Sequence, residues 1–595
     1  MSMSPLDPRT WPEAEVEKWL QDSAPMRSLE PAHATHPSAL VAGSTGPFAQ
    51  YAGRKALEAG GSAADAALVT AFTQVALAHG GWVSYAGIMS AVTFDATTGE
   101  ITSLSGHFAT FASEDDPATI PGAPTPSGRT ALVPGYFKAA EELHRRFGRL
   151  PWADLLLPAI HVASHGFVLG AERAGIFTWR KDVLLRTPEG REIFQPDGNF
   201  PTAETRFTQP VLASTLRRVA EEGADHLYAG EWAQRFVEVV AREGGRVTLD
   251  DLADYKAIWS EPITATIGEH VLHGPGLPNT GGAALAEGLL LAEAADIGDW
   301  RHDGDELHLL ISIMRTVAQM TGLAPQQRTT PEHVTKVLAA IRESGGPVSP
   351  GIYLPTSHSD FVLSADPDGN VVAMCHSINT SMWGSSGIFV DGISIPDAAG
   401  FQQQVLATVT PGDPLPNPMN PSLVTRDGTP VLAMSSIGAG LMETTLQCMI
   451  SVLREGATVA QAVSQPLIHH IDMVAGDSIT SAITTREDTD DGQPRRGAAD
   501  PAKAIQEFML AESAKGTPPE ELYGRFIATV PQVVEEGFDQ AVLDRVRELG
   551  IKVVARPIDE PTMPRGYWVG MSIDPVSGAR TGARTIYCTG LVEGF

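Results

Sequence analysis

Two runs in this chain read as strand, tight turn, strand: DFVLSADPDGNVVAMCHSINTSM from residue 360 and PSLVTRDGTPVLAMSS from residue 421. Each sets Asp-Gly between apolar, alternating stretches, and glycine tolerates the positive φ that a two-residue hairpin turn demands. Hairpins impose antiparallel pairing. The second runs directly into IGAGLMETTLQCMISVLREG, a glycine turn that opens an apolar-faced helix. Upstream, residues 56–78 (ALEAGGSAADAALVTAFTQVALA) predict one small-residue helix able to pack closely on a sheet. Residues 80–106 predict two strands joined at Thr98–Gly99. Helical patterns follow around 134–147, 151–165, 210–222, 229–243 and 249–254, and near the C-terminus FDQAVLDRVRELGIKVVAR predicts helix then strand. No internal repeat is present. Antiparallel sheets covered by helices make an α+β layering.

Composition narrows the function. Forty-two Lys+Arg against 71 Asp+Glu give a formal charge of −29, which argues against phosphate backbones and anionic membranes as partners. Three cysteines, Cys375, Cys448 and Cys588, build neither a disulfide framework nor a CxxC metal site. The start, MSMSPLDPRTWPEAEVEKWLQD, reads as an acidic amphipathic helix rather than a signal peptide, and no apolar run of about 18 residues occurs. A cytoplasmic location is expected. The polar segment 475–530, with REDTDDGQPRRGAADP, predicts a mobile excursion.

The chemistry-bearing stretch is LPTSHSDFVLSADPDGN, residues 354–370. It crowds Thr356, Ser357, His358, Ser359 and Asp360 just before a strand. A threonine hydroxyl is a poor nucleophile without a base, but a chain-terminal threonine carries its own in the α-amine, whose pKa is near ~8. An internal threonine gains that amine only if the preceding peptide bond is cut. Such a residue needs a second hydroxyl to orient it and backbone N–H donors for the oxyanion. Ser377 and Asn379 return across the Asp368–Gly369 turn, and the Gly438-Ala439-Gly440 turn opens a helix. Taken alone, the cluster fits a polar surface loop better than a catalytic site, and the glycine turn fits plain turn chemistry or a phosphate nest better than an oxyanion hole.

EAGGSAADAALV, ALVPGYFKA, FGRLPWADLLLPAIHVASHGF, GGRVTLDDLADYKA, NTGGAALAEGLL, TSHSDFVLSADPDGN, MNPSLVTRDGTPVLAMSSIGAG and SIDPVSGARTGA occur in register from residue 58 onward, and over them the chain resembles the γ-glutamyltranspeptidase family. The resemblance implies the four-layer αββα N-terminal nucleophile hydrolase sandwich with antiparallel sheets. It also implies a precursor that cuts itself before a threonine, leaving two fragments as a heterodimer. Thr356 takes the nucleophile position, so the expected cut is Pro355–Thr356, with 1–355 as the large and 356–595 as the small polypeptide. Ser377 lies where the family has the threonine that orients the nucleophile. Asn379 matches a substrate-contacting asparagine, and Gly438 with Ala439 matches the oxyanion glycine pair. Alanine keeps the amide donor. The resemblance calls for no metal or organic cofactor.

The glutamyl pocket departs from the pattern. In SGHFATF, His107 stands at the position of the arginine that grips the substrate's α-carboxylate. In DGISIPD, Pro396 stands at an acidic position, with Asp397 beside it. In PLPNPMNP, Asn417 and Pro418 replace two serines. A hydrogen bond to a charged group is worth about 1.5–3 kcal/mol, so losing these partners weakens selection for a free glutamyl head. His107 also reads as a core histidine bonded to backbone, Cys375 as a strand hydrophobe, and His469 with His470 as a weak metal motif. The expected function is a self-processing hydrolase on a different small molecule. One subset of the family, from pathways to lincomycin and the pyrrolobenzodiazepines, cuts a carbon–carbon bond, and the rewritten pocket fits it. The alternatives are a γ-glutamyl or other amide hydrolase or transpeptidase, and an unprocessed, catalytically dead binding homologue.

Overall fold

In the computed structural model, residues 3–320, 322–348, 352–353, 359–406, 408–471, 515, 530–560 and 563–595 are described. Fourteen strands among them form two seven-stranded sheets. In chain order they are β1 (Ala32–His36), β2 (Leu40–Gly43), β3 (Ile88–Phe94), β4 (Ile101–Gly106), β5 (Ile258–Ser260), β6 (Ile263–Ile267) and β7 (His270–Gly274). The rest are β8 (Ser359–Ala365), β9 (Val371–Ser377), β10 (Ser422–Arg426), β11 (Thr429–Gly438), β12 (Gly566–Ile573), β13 (Arg580–Arg584) and β14 (Val592–Gly594). The first sheet runs β14-β2-β8-β9-β3-β4-β5 and the second β1-β13-β12-β11-β10-β7-β6. Every pair is antiparallel.

Both expected hairpins form, as β8–β9 and β10–β11. The uninterrupted burial of β8 and β9 follows from having both faces covered. Alternate residues of β8, Phe361, Leu363 and Ala365, join Ala373 and Cys375 of β9 and Ala433, Ile437, Val569 and Met571 of the second sheet in a core between the sheets. Val362 faces the other way, into a cluster built on α1 (Pro47–Glu58), α2 (Ala63–Leu77) and α3 (Tyr136–Phe147). On the far side, α4 (Gly281–Ala295), α5 (Gly304–Val317) and α6 (Leu441–Leu453) bury their apolar faces with Met434 and Trp568. The molecule is a helix–sheet–sheet–helix sandwich.

The single helix expected over 56–78 is two. Gly60 takes a φ of +83°, and Ser62 with Asp65 forms a reciprocal capping box that starts α2 afresh. The predicted excursion at 475–530 lies outside the described residues, apart from Lys515 and Val530. Each large sheet draws strands from both sides of residue 356, so the expected two polypeptides share one core. Among the described residues no helix is long and apolar enough to cross a membrane.

Candidate active site

The β8–β9 hairpin brings its two ends together. Ser359 opens β8 directly opposite Ser377, the last residue of β9. The Ser359 hydroxyl donates to Ser377 Oγ at 2.9 Å, and Ser377 donates onward to Asn379 Oδ1 at 3.2 Å. The Asn379 backbone N–H returns a bond to Ser377 Oγ at 3.1 Å, held in that position by a left-handed φ of +49°. All three side chains are buried. A serine hydroxyl is thus fixed in one rotamer at the mouth of a strand, its proton aimed at a second hydroxyl.

Across the sandwich, β11 ends at Gly438, paired with Gly566 of β12. Gly438 has φ +88°, and a methyl there would sit 2.6 Å from the Arg565 carbonyl oxygen, so only glycine fits. Gly440 N–H donates to that same carbonyl at 3.1 Å, which takes it out of contention as an oxyanion donor. The chain enters α6 at Leu441 with no side-chain cap on its first amides. Ser359 and Gly438 line one cavity of about 90 Å³, walled by Trp82, Met382, Ile437, Tyr567 and Tyr587. A strand-end hydroxyl and a glycine turn on one aromatic-walled cavity suit acyl transfer.

Asp360, next in the strand, points to the helical side and is fully buried. Ser44 Oγ, Thr45 Oγ1 and Trp82 Nε1 donate to its carboxylate at 2.6, 2.5 and 3.1 Å. Burial pushes this carboxyl up to about 6 despite those donors. Behind it, Arg173 gives its guanidinium to the carbonyls of Ser23, Ala24 and Leu77, each at 2.7 Å. Sequence reading named Asp360 without giving it a part, and passed over Ser44, Thr45, Trp82 and Arg173. The available signal was a carboxylate inside an apolar strand, which requires buried partners.

The expected recognition residues lie elsewhere. His107 follows β4 and stacks obliquely near Tyr255, whose hydroxyl donates to the His107 carbonyl at 2.8 Å. Burial pushes its imidazole down to about 4, and its Nδ1 has no partner among the described residues. It lines a second cavity, of about 460 Å³, with Thr110, Asp251, Asp254 and Lys256, and this cavity shares no wall residue with that of Ser359. Asn417 accepts a bond from Met419 N–H and bridges to Asn279, and the Nδ2 of each asparagine lacks a partner among the described residues. Asn279 was not anticipated. Asp397 is spent on its own loop, accepting from Thr380 Oγ1 and Ser385 N–H, each at 2.6 Å. Pro355 and Thr356 lie outside the described residues. His469 and His470 each pair with a buried carboxylate, Glu535 and Glu443 respectively, both at 2.9 Å.

The sequence profile described as gamma-glutamyltranspeptidase matches residues 49–488. The chain belongs to that family. Among curated relatives, the glutathione hydrolase proenzyme of Pseudomonas aeruginosa is 29% identical over 70% of this chain and 80% of that protein. The acylase ACY 1 proenzyme of Pseudomonas sp. strain SE83 is 26% identical over 71% and 81%. Among solved structures, the cephalosporin acylase from Bacillus halodurans superposes with a TM-score of 0.74 at 20% identity, over 95% of this chain and 97% of that one. LmbA2991HD superposes at 0.71 and 20% identity, over 96% and 100%. These neighbours share the N-terminal nucleophile hydrolase sandwich of two antiparallel sheets between helical layers.

Proposed function

We propose that this family member is a self-cleaving hydrolase, and that its substrate lacks a free γ-glutamyl head. Its catalyst is a hydroxyl residue made N-terminal by scission of its own backbone. The new α-amine, with a pKa near ~8, takes the proton from the hydroxyl beside it. The oxygen then attacks a carbonyl carbon while the amides of Gly438 and Ala439 hold the oxyanion. Ser377 aims the hydroxyl, Asn379 holds Ser377, and water releases the acyl group. The two fragments remain together as a heterodimer because their strands interleave. Motif alignment nominates Thr356 for this role, with a division into 1–355 and 356–595, whereas the hydroxyl that faces Ser377 nominates Ser359.

The observation that carries the choice of substrate is at His107. A ring titrating at about 4 is neutral at physiological pH and offers a carboxylate no charge, and its cavity is separate from the one holding Ser359 and Gly438. Asp397, the nearest acid to the amine-binding position, is already engaged by Thr380 and Ser385. This supports a small acyl substrate of another kind, extending to carbon–carbon cleavage of an oxalyl-type group in a specialised pathway such as alkylproline antibiotic biosynthesis. An amide hydrolase is the second reading, favoured by the relative named an acylase.

Parallel assays on γ-glutamyl-p-nitroanilide, an arylacyl-p-nitroanilide and an oxalyl-bearing 2-oxo acid test this. Turnover of the γ-glutamyl compound at least ~100-fold below a glutathione hydrolase run alongside is expected, from two lost charged bonds. Equal turnover contradicts the substrate assignment. Oxalate release selects the carbon–carbon reading, and p-nitroaniline from the arylacyl compound selects the amide one.

A further inference from the structure

The structure assigns the nucleophile to Ser359 and the scissile bond to the peptide on its amino side, so that the small polypeptide begins at Ser359. This rests on the self-cleaving reading above and changes which residue carries it. Three independent features point the same way.

The first is register. Ser377, the orienting hydroxyl, faces Ser359 across the hairpin, and the one-to-one pairing runs unbroken from there to Ala365 and Val371 beside the turn. The pairing begins at Ser359, so the serine is the residue of this strand set against Ser377. The second is the bond itself: Ser359 Oγ donates to Ser377 Oγ at 2.9 Å, and Ser377 is fixed from behind by Asn379. The third is the cavity. Ser359 and Gly438 line the same cavity, which places the hydroxyl and the turn expected to supply oxyanion amides on one space.

The self-cleavage balances with one water. Ser359 Oγ adds to the carbonyl carbon of residue 358 as its proton is relayed through Ser377 toward the departing nitrogen. The C–N bond breaks, the departing nitrogen takes a proton to become the α-amine, and the acyl group is left as an ester on Oγ. Water hydrolyses that ester, releasing a carboxylate at residue 358 and restoring the hydroxyl. Ser359 then has beside it the amine that serves as base in turnover. Serine in place of threonine removes the methyl that would restrict χ1, which makes the bond to Ser377 the chief restraint on the rotamer.

N-terminal sequencing of the small fragment from purified full-length protein tests the assignment. The expected sequence is Ser-Asp-Phe-Val-Leu. A fragment beginning Thr-Ser-His-Ser overturns the assignment to Ser359 while leaving the self-cleaving reading intact, whereas a single uncut chain removes both. Two variants check it independently. Thr356→Ala is expected to cut at the same bond and to the same extent as the wild type, and a block to cutting in that variant overturns the assignment. Ser359→Ala is expected to remain whole and Ser359→Thr to cut. Cutting of Ser359→Ala at its native position overturns it as well.

Discussion

At the residue scale, the site is made by three small local decisions. Ser377 matters because it is the acceptor for Ser359, and removing it frees the rotamer that the buried hairpin had fixed. Ser377→Ala is expected to slow self-cleavage about 10- to 100-fold, the factor that one buried hydrogen bond supports, with little change in fold. A gel time course of freshly translated protein measures it. Gly438 matters for its backbone: Gly438→Ala meets the Arg565 carbonyl at 2.6 Å and forces an L-residue to φ +88°. That costs on the order of 1–3 kcal/mol, read as a lower urea midpoint, and displaces the amide at the same time. Asp360 accepts from three donors, so Asp360→Asn turns an amide N–H₂ toward hydroxyl and indole donors. A loss of about 1–3 kcal/mol is expected even though a buried charge is removed. The hydroxyl cluster, the paired Ser377 and the glycine turn were all legible as residue types. What the types could not say is which of several hydroxyls faces Ser377, that His107 packs against the distant Tyr255, or that Asp397 is engaged within its own loop.

At the scale of elements, the hairpins and most helices follow from local pattern alone. Asp-Gly fixes the turns, alternation fixes the faces, and Pro210–Glu222 and Glu231–Arg242 form where an apolar stripe recurs. The failure at Gly60–Gly61 is instructive. A continuous small-residue pattern hid a break whose cause is a positive φ and a reciprocal cap, both readable in GGSAAD once the cap is sought. Register was not legible. A two-residue Asp368–Gly369 turn would set Asp360 opposite Ser377, whereas the five-residue connection between Ala365 and Val371 sets Ser359 there. The β8 strand also carries a packing prediction. Phe361 is fully buried between the sheets, so Phe361→Ala leaves a cavity two residues from the site. It is expected to cost about 3–5 kcal/mol by urea unfolding and to slow cleavage by loosening the strand. An unchanged midpoint contradicts the inter-sheet placement.

At the scale of the whole molecule, burial has taken several ionisable rings out of water. His376 is pushed down to about 3, and His107, His161 and His273 to about 4, in each case chiefly by desolvation. A group whose folded pKa is depressed below the unfolded value of about 6.5 contributes stability above pH 6.5 and loses it as pH falls through the folded value. Asp360 has the opposite sign. Raised to about 6, it contributes most below pH 4, and that contribution is lost as pH rises through 6. The four rings outweigh the one carboxyl, so the urea midpoint is expected to fall between pH 7 and pH 5. For the fully buried His376 the loss is on the order of 2 kcal/mol, and His376→Asn flattens the slope. A midpoint that rises over that interval contradicts the burial of these rings. The layered sandwich itself was readable from antiparallel hairpins plus helices. The interleaving of strands from both ends of the chain was not, because it is a property of long-range pairing.

That interleaving is what lets a cut chain stay folded, and the central claim is that the cut occurs and creates the catalyst. Intact-mass measurement of the purified protein under denaturing conditions tests this most directly. The account predicts two polypeptides, residues 1–358 and 359–595, whose masses sum to the 63.1 kDa chain plus one water. Active material that gives a single 63.1 kDa species contradicts it.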